Sequence, residues 1–536
     1  MLLFLLLLIP LVAAGLVLAG PARWARWVGL AGAAAHLGTA VGAWWAGRST
    51  VLADWSAGVH LPWFGLDLGP LGRLQVDFWL GLDGLSAPLV LLTGIVGLIG
   101  VGAAWNLPLA TTDRPRGFFS LYLLLLGAVS GCFVAVDLVL FYVFFEVMLL
   151  PMYFLIGIWG GARRELAAVK FFLYTLLGSL LILVVIVALF PVTHGYGLPA
   201  LTDFARHAPG QWLSPGASGT AGGATPARLI AFGLLLVGFG IKLPVVPLHT
   251  WLPDAHVEAP TPISVVLAGL LLKVGAYGLL RFAWPLFPDA ARALAPVVAG
   301  LGAISILYGA LCALAQTDLK RLVAYSSVSH MGFVLLGLAS LTPEGVGGAV
   351  FQLVSHGLIT SLLFLLVGVL YDRTHSRQIG HYRGLAGPLP RFAAAAVIGF
   401  FAALGLPGFS GFIAEILVLL GTWKAALTAD PATALRMAGH GTPQLPIWTA
   451  IVPLAGLLVG AGYCLWTVQR LLFGTYWIHP SLEVPAPLPD LTPRERWLLG
   501  ALCATTLGLG LSPAVLLDGI SPAATAWVAF VRGALP

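Results

Sequence analysis

The sequence predicts an all-α polytopic membrane protein of about 14 transmembrane helices, and three observations predict it. Hydrophobic residues make up 59% of the chain and charged residues only 9%, with a mean hydropathy of +0.97. Soluble chains place about a quarter of their residues in charge, so an ordinary globular protein is excluded. Apolar runs of about the 20 residues that a bilayer-crossing helix needs recur from residue 1 to residue 517. The 66 Gly and 37 Pro would break up a soluble helical protein but are normal among packed membrane helices.

Fourteen spans are expected, centred near residues 10, 36, 95, 125, 148, 180, 239, 273, 304, 332, 358, 405, 460 and 507. The first lacks a basic leader and a small-residue cleavage site, so it reads as a helix rather than a signal peptide. No hydrophilic stretch exceeds roughly 35 residues, too short for a soluble domain. Segment 192–227, which includes SPGASGTAGGATPA, reads as an irregular outer connection. Segment 474–494, which includes PAPLPDLTPRER, is expected at the cytoplasmic surface. Cys132, Cys312, Cys464 and Cys503 are scattered through apolar runs without ligand spacing and read as small buried hydrophobes. There is no nucleotide fingerprint, phosphate loop or haem motif, so no cofactor and no metal is expected on this chain.

Positive charge sets the orientation. Loops after odd-numbered spans hold Arg23, Arg26, Arg114, Arg116, Arg163, Arg164, Lys320, Arg321, Arg373, Arg377, Arg383, Arg391, Arg470, Arg494 and Arg496, and the opposite loops are poorer. The positive-inside rule therefore places both termini in the periplasm of a bacterial inner membrane. The same bias explains the net charge of +6. No basic patch with interleaved aromatics suggests nucleic acid.

Four ionisable residues lie inside spans, flanked by apolar residues on both sides: Glu146, Lys242, Lys273 and Glu415. Such a charge costs about 2.5–3.5 kcal/mol near a helix centre, and its default reading is an ion or proton pathway. Lys170 and Asp137, near span ends, fit snorkelling instead. His330 and His356, each beside serines, fit either hydrogen-bonded core histidines or proton relays, since an imidazole titrates near neutrality. His249 and His256, at the cytoplasmic end of span seven, fit proton uptake or a plain interfacial role.

Two spans are interrupted. Lys242 sits two residues before Pro244, and Glu415 follows Gly-Leu-Pro-Gly at 405–408. Non-helical backbone survives at membrane depth only where protein or water satisfies it. Paired interruptions in corresponding positions point to an inverted-repeat transporter. The broken span is fourth in each of two five-span blocks, spans 4–8 and 9–13, and an odd block length inverts the second copy. The expected division is 1–110 (spans one to three), 111–288 (first repeat), 289–475 (second, inverted repeat) and 476–536 (cytoplasmic loop and span fourteen). A lysine in low dielectric loses proton affinity and regains it near a carboxylate. If Glu146 faces Lys242, moving that pair apart or together switches the lysine, and Lys273 and the histidines could pass the proton on to Glu415.

At these residues the chain resembles the antiporter-like subunits of respiratory complex I, the proton-pumping NADH:quinone oxidoreductase. The resemblance runs from GLDGLSAPLVLL at 81–92 to the thirteenth span. Its strongest parts are FEVMLLPMYFLIGIWGG, KLPVVPLHTWLPDAHVEAPTPISVVLAGLLLKVGAYGLLRF and TDLKRLVAYSSVSHMGFVLLGL. The resemblance implies that Glu146 and Lys242 form a coupling ion pair, that Lys273 is the connecting lysine, and that His330 and His356 lie on a hydrophilic central axis. Glu415, where L-type, N-type and Mrp D-type relatives carry lysine, and the lack of a long lateral helix imply the M-type. The implied partners are L-type and N-type neighbours and membrane lipid, with quinone met only indirectly. FMN and iron–sulfur clusters are implied in partner subunits. The same superfamily leaves a Mrp-type cation/proton antiporter or an energy-converting hydrogenase as alternatives; a purely structural scaffold is the reading from outside it.

Overall fold

In a computed structural model, the chain is described at residues 1–49, 58–67, 73–105, 114–193, 195–207, 224–427, 445–482, 484 and 487–533. The helices, in order, are α1 (Leu2–Ala19), α2 (Ala25–Gly47), α3 (Ala87–Ala104), α4 (Pro115–Val134), α5 (Leu138–Trp159), α6 (Arg164–Leu189), α7 (Pro226–Lys242) and α8 (Trp251–Glu258). They continue with α9 (Thr261–Leu286), α10 (Pro288–Leu314), α11 (Leu319–Ser340), α12 (Pro343–Thr374), α13 (Pro390–Ala403), α14 (Ser410–Leu427), α15 (Trp448–Leu472), α16 (Pro493–Leu511) and α17 (Ala514–Arg532). Twelve of the described helices are long and apolar enough to cross a membrane. The protein is a multi-pass membrane protein.

The degree of burial sorts these helices into shells. The apolar stretches of α9 and α12 are wholly buried and that of α11 is 94% buried, whereas α15 is only 33% buried. The helices carrying Lys273, His330 and His356 are thus the most enclosed in the molecule. Helix pairs approach closely at glycines. A Cβ on Gly178 of α6 would meet the Gly238 carbonyl of α7 at 2.8 Å, and one on Gly302 of α10 would meet the Gly332 carbonyl of α11 at 2.9 Å. In lipid there is no hydrophobic drive between helices, so close backbone packing of this kind holds them together.

The fold departs from the expected all-helical chain in three places. Strands β1 (Val59–Asp67) and β2 (Arg73–Leu80) form an antiparallel pair between α2 and α3, and short strands β3 (Tyr382–Arg383) and β4 (Trp477–Ile478) form another. Valine and aromatic residues in VHLPWFGLD and RLQVDFWL favour the first pair. A short helix, Leu198–His207, lies within the expected irregular connection; most of SPGASGTAGGATPA lies outside the described residues. Segment 476–536, expected to hold one helix, holds two, α16 and α17, parted at Ser512–Pro513.

Asp137 is also not where snorkelling would put it. It is buried and caps α5, accepting the Val139 and Leu140 amides at 2.8 and 3.0 Å. Asp318 caps α11 in the same way. These carboxylates satisfy amides that a helix start leaves without partners.

Candidate functional site

Helix α7 ends at Lys242, and the chain is non-helical from Leu243 to Thr250 before α8 begins. Its loosened backbone is satisfied from three sides. The Trp251 indole donates to the Ile241 carbonyl at 2.9 Å, the Val246 amide donates to Ser305 Oγ at 3.1 Å, and the Val245 amide to the Gly240 carbonyl at 3.0 Å. Gly275 on α9 lets the break nest: a Cβ there would lie 2.7 Å from the Phe239 carbonyl, 2.8 Å from the Leu243 amide and 3.0 Å from Lys242 Cβ.

Lys242 is buried, and its Nζ lies 4.5 Å from the centre of the Phe145 ring. Among the described residues no carboxylate comes within 4.0 Å of it. Glu146, the next residue on α5, is partly buried, and its Oε1 lacks a hydrogen-bond partner. The structure thus sets Phe145 on the lysine and leaves the neighbouring carboxylate off it.

Lys273, fully buried in α9, lies between two π-helical turns, Leu267–Leu271 and Leu279–Ala283. Such turns are rare and concentrate at functional sites. The widened turn offers the Ala268 carbonyl, to which Lys273 Nζ donates, and the same nitrogen lies 2.7 Å from Nδ1 of His356 on α12. The His356 and His330 rings are 5.6 Å apart, and Nε2 of each is buried without a partner. His330 Nδ1 lies 3.5 Å from Glu415 Oε1 and 3.3 Å from Gln352 Nε2. Both rings, with Ser326, Gln352 and Thr360, line a cavity of ≈ 10 Å³ to water centres, on the scale of a single water. Lys273, His356, His330 and Glu415 therefore form one row of proton-binding groups running from the first broken region to the second.

The second break lies between α13 and α14. Gly405 and Gly408 take φ of +74° and +97°, conformations that favour glycine. A Cβ on Gly405 would run into the Glu415 carboxylate, so the turn folds directly over that side chain. Ser355 of α12 donates to Ser410 Oγ at 2.8 Å, fixing the start of α14.

Near the basic end, His256 is fully buried, stacks on Phe364 at 4.5 Å, and has no partner for either nitrogen. A surface role does not fit it. His249 is also buried, against Tyr308 and Tyr325, beside a more open network in which Lys170 and Arg321 meet Asp254 at 2.7 and 3.4 Å. Buried charges that the sequence pattern does not single out include Lys320 and the Asp83–Arg281 pair. Lys320, counted as a loop charge, turns its ammonium inward onto the Ala259 carbonyl. At the opposite end, Arg281 grips Asp83 at 2.7 and 2.8 Å, with Tyr277 accepting from Arg281 Nε at 2.9 Å. Burial would raise the Asp83 carboxyl, but the Arg281 charge and bonds from Arg281 and Ser86 hold it below its ordinary value.

A family model described as "NADH:quinone oxidoreductase/Mrp antiporter, TM" matches residues 135–431, which include every residue of this row. The chain belongs to this family. Among curated members of the family, a protein named NAD(P)H-quinone oxidoreductase chain 4 1, from Synechococcus sp. (strain JA-3-3Ab), is 40% identical over 99% of this chain and 93% of its own length. NADH-quinone oxidoreductase subunit M of Rhodobacter capsulatus is 41% identical over 84% of this chain and 81% of its own length. A chain of respiratory complex I from Thermus thermophilus superposes with a TM-score of 0.80 at 32% identity, covering 99% of this chain and 100% of that one. A chain of the Mrp complex from Dietzia sp. DQ12-45-1b gives a TM-score of 0.77 at 23% identity, covering 99% of each, a likeness of fold.

Proposed function

We propose that this chain is the M-type antiporter-like subunit in the membrane arm of a proton-pumping NADH:quinone oxidoreductase. The observation that carries this reading is the buried row Lys273–His356–His330–Glu415 on helices packed beside the break at Lys242. The chain is a translocating part of an enzyme whose electron transfer, on FMN and iron–sulfur clusters, takes place in other subunits. Its neighbours are the L-type and N-type subunits, and quinone is met only through the complex. The reading carries with it fourteen spans with both termini periplasmic, arranged as two inverted repeats over 111–288 and 289–475 between 1–110 and 476–536, and the paired breaks support it.

Within it, Glu146 and Lys242 act as the switch. Approach of the carboxylate favours the protonated lysine, and withdrawal to the Phe145-lined setting releases the proton toward Lys273. In this reading His249 and His256 take the proton inward from the basic surface toward Lys273. Lys242→Ala and Glu146→Ala in the assembled complex should each sharply reduce NADH-driven proton pumping. If both leave it intact, the reading is wrong.

A Mrp-type cation/proton antiporter is the second reading, favoured by the fold likeness to the Mrp chain. Purifying the chain with its native partners separates the two. Iron–sulfur and NADH-oxidising subunits should come with it; antiporter subunits alone would transfer the row to cation/proton exchange.

A further inference from the structure

The end of α15 carries a feature that the proton row does not use. A groove of ≈ 780 Å³ opens between the last turns of α15 and the β3–β4 pair, lined by Tyr382, Arg383, Trp466, Arg470, Phe473 and Trp477. Strand pairing sets Arg383 opposite Trp477, and the Arg470 guanidinium lies 4.6 Å from the centre of the Trp466 ring. The two arginines differ from their neighbours in one respect. Arg373 and Arg377, at the same end of the bundle, meet Glu495 and Asp318 at 2.7 and 3.3 Å. Among the described residues, no carboxylate lies within 4.0 Å of Arg383 or Arg470. Two cations thus face one groove with no counter-charge from the described residues.

The helix leading into this groove is the least buried of the long apolar ones. Ile451, Leu454, Leu458, Leu465 and Trp466 are all exposed, at the three-, four- and seven-residue spacing of a single helix face. Phe473, also exposed, continues that face to the rim of the groove. Gly462 on the same face has nothing within 4 Å of a would-be Cβ, so the stripe is open along its length. Leu458 lies twelve residues from Arg470, about 18 Å along a helix, close to the depth of one leaflet of a bilayer.

We propose that this groove binds the phosphate of an anionic phospholipid, with an acyl chain lying along the exposed face of α15. The chemistry is that of a diacylglycerol phosphodiester. Arg383 and Arg470 supply forked donors for its oxygens, and Trp466, Trp477 and Tyr382 sit where amphipathic rings collect at a membrane surface. Basic pockets beside membrane helices recognise acidic headgroups in this way. A free phosphate would leave the apolar stripe unused, so the lipid is the occupant the whole feature fits.

The test uses the assembled complex in phosphatidylcholine nanodiscs doped with photoactivatable phosphatidylglycerol or, in parallel, photoactivatable phosphatidylcholine. Cross-linked peptides are mapped by mass spectrometry. Labelling of 448–478 by phosphatidylglycerol should exceed that by phosphatidylcholine and should survive excess inorganic phosphate. Each of Arg383→Gln and Arg470→Gln should lower it about fivefold, and Arg→Lys at both sites should retain most of it. Equal labelling by the two lipids, competition by inorganic phosphate, or cross-links that map instead to a neighbouring subunit covering α15 would each overturn the proposal. Should the Gln variants fail to assemble, the comparison of the two lipids on the unaltered complex still decides it.

Discussion

Lys273 Nζ lies 2.7 Å from His356 Nδ1, with both side chains buried. At that distance one nitrogen must donate and the other accept, so the pair holds a single proton between two bases. When Lys273 is the ammonium, His356 presents a bare Nδ1 and keeps its hydrogen on Nε2, facing the cavity shared with His330. Transfer from lysine to imidazole then moves charge toward Glu415 with little side-chain motion. Loss of a positioned proton carrier typically costs 10²–10⁴-fold. Lys273→Ala and His356→Ala should therefore each cut NADH-driven acidification by about that factor, measured with a pH-sensitive dye in vesicles carrying the complex. Because the two act in series, the double variant should be no worse than the worse single one. Additive losses would show that they belong to separate routes.

Gly405 and Gly408 share a left-handed backbone but differ in what surrounds them. A Cβ on Gly405 strikes the Glu415 carboxylate, whereas one on Gly408 meets nothing within 4 Å. Either substitution by alanine should cost about 1–2 kcal/mol of backbone strain. Gly405→Ala should in addition displace Glu415 from His330 and depress pumping per NADH oxidised. Gly408→Ala should lower thermal stability while keeping that ratio. Equal ratios in the two variants would mean that Glu415 is not held by this turn.

The parts of the site that were legible in the sequence are those that violate membrane rules within a single segment. Lys242, Lys273 and Glu415 each stand alone in an apolar run, and the structure buries all three. His330 and His356 are ambiguous in the sequence because a core histidine leaves the same trace; only the approach of α9, α11, α12 and α14 sets them between Lys273 and Glu415. Asp83 and Arg281, 198 residues apart, leave no local trace of their pairing in the sequence. Lys320 was absorbed into the count of loop charges, which registers sign and position but not where the ammonium turns. The final helix pair was missed although Ser512–Pro513 marks the stop, since an apolar stretch on both sides masks a turn. The strands were missed because pairing across a connection leaves only weak local alternation.

The buried Asp83–Arg281 pair ties the loop before α3 to the far end of α9. Tyr277 extends it by donating to the Phe133 carbonyl at 3.0 Å, and the Trp527 indole of α17 donates to the Leu280 carbonyl at 2.7 Å. Removing one partner strands the other charge out of water, which costs about 3–5 kcal/mol. Asp83→Ala should thus reduce the amount of assembled complex on a native gel at growth temperature. Replacing both residues with leucine should recover much of it, because no charge is then left uncompensated. A double variant as poor as Asp83→Ala would show that the pair acts through its hydrogen bonds to the loop rather than through buried charge.

Asp137 sits just ahead of α5, beneath the β1–β2 pair. Burial pushes its carboxyl up to about 6, and the nearby charge of Asp77 adds to this, against the bonds from the Leu140, Asp77 and Val139 amides. An acid whose folded value is raised favours the fold when protonated. Its contribution is therefore complete below about pH 4, where the unfolded chain also holds the proton, and is lost as pH rises to about 6. Asparagine caps a helix as well as aspartate does and has no charge to bury. Asp137→Asn should accordingly melt higher than the unaltered chain above pH 6, by an amount corresponding to about 1–3 kcal/mol, with the gap closing toward pH 4. Scanning fluorimetry of the purified complex across that range reads the difference directly. A variant that melts lower at pH 8 than at pH 4 relative to the unaltered chain would mean that the ionised carboxylate, and not the neutral acid, holds the start of α5.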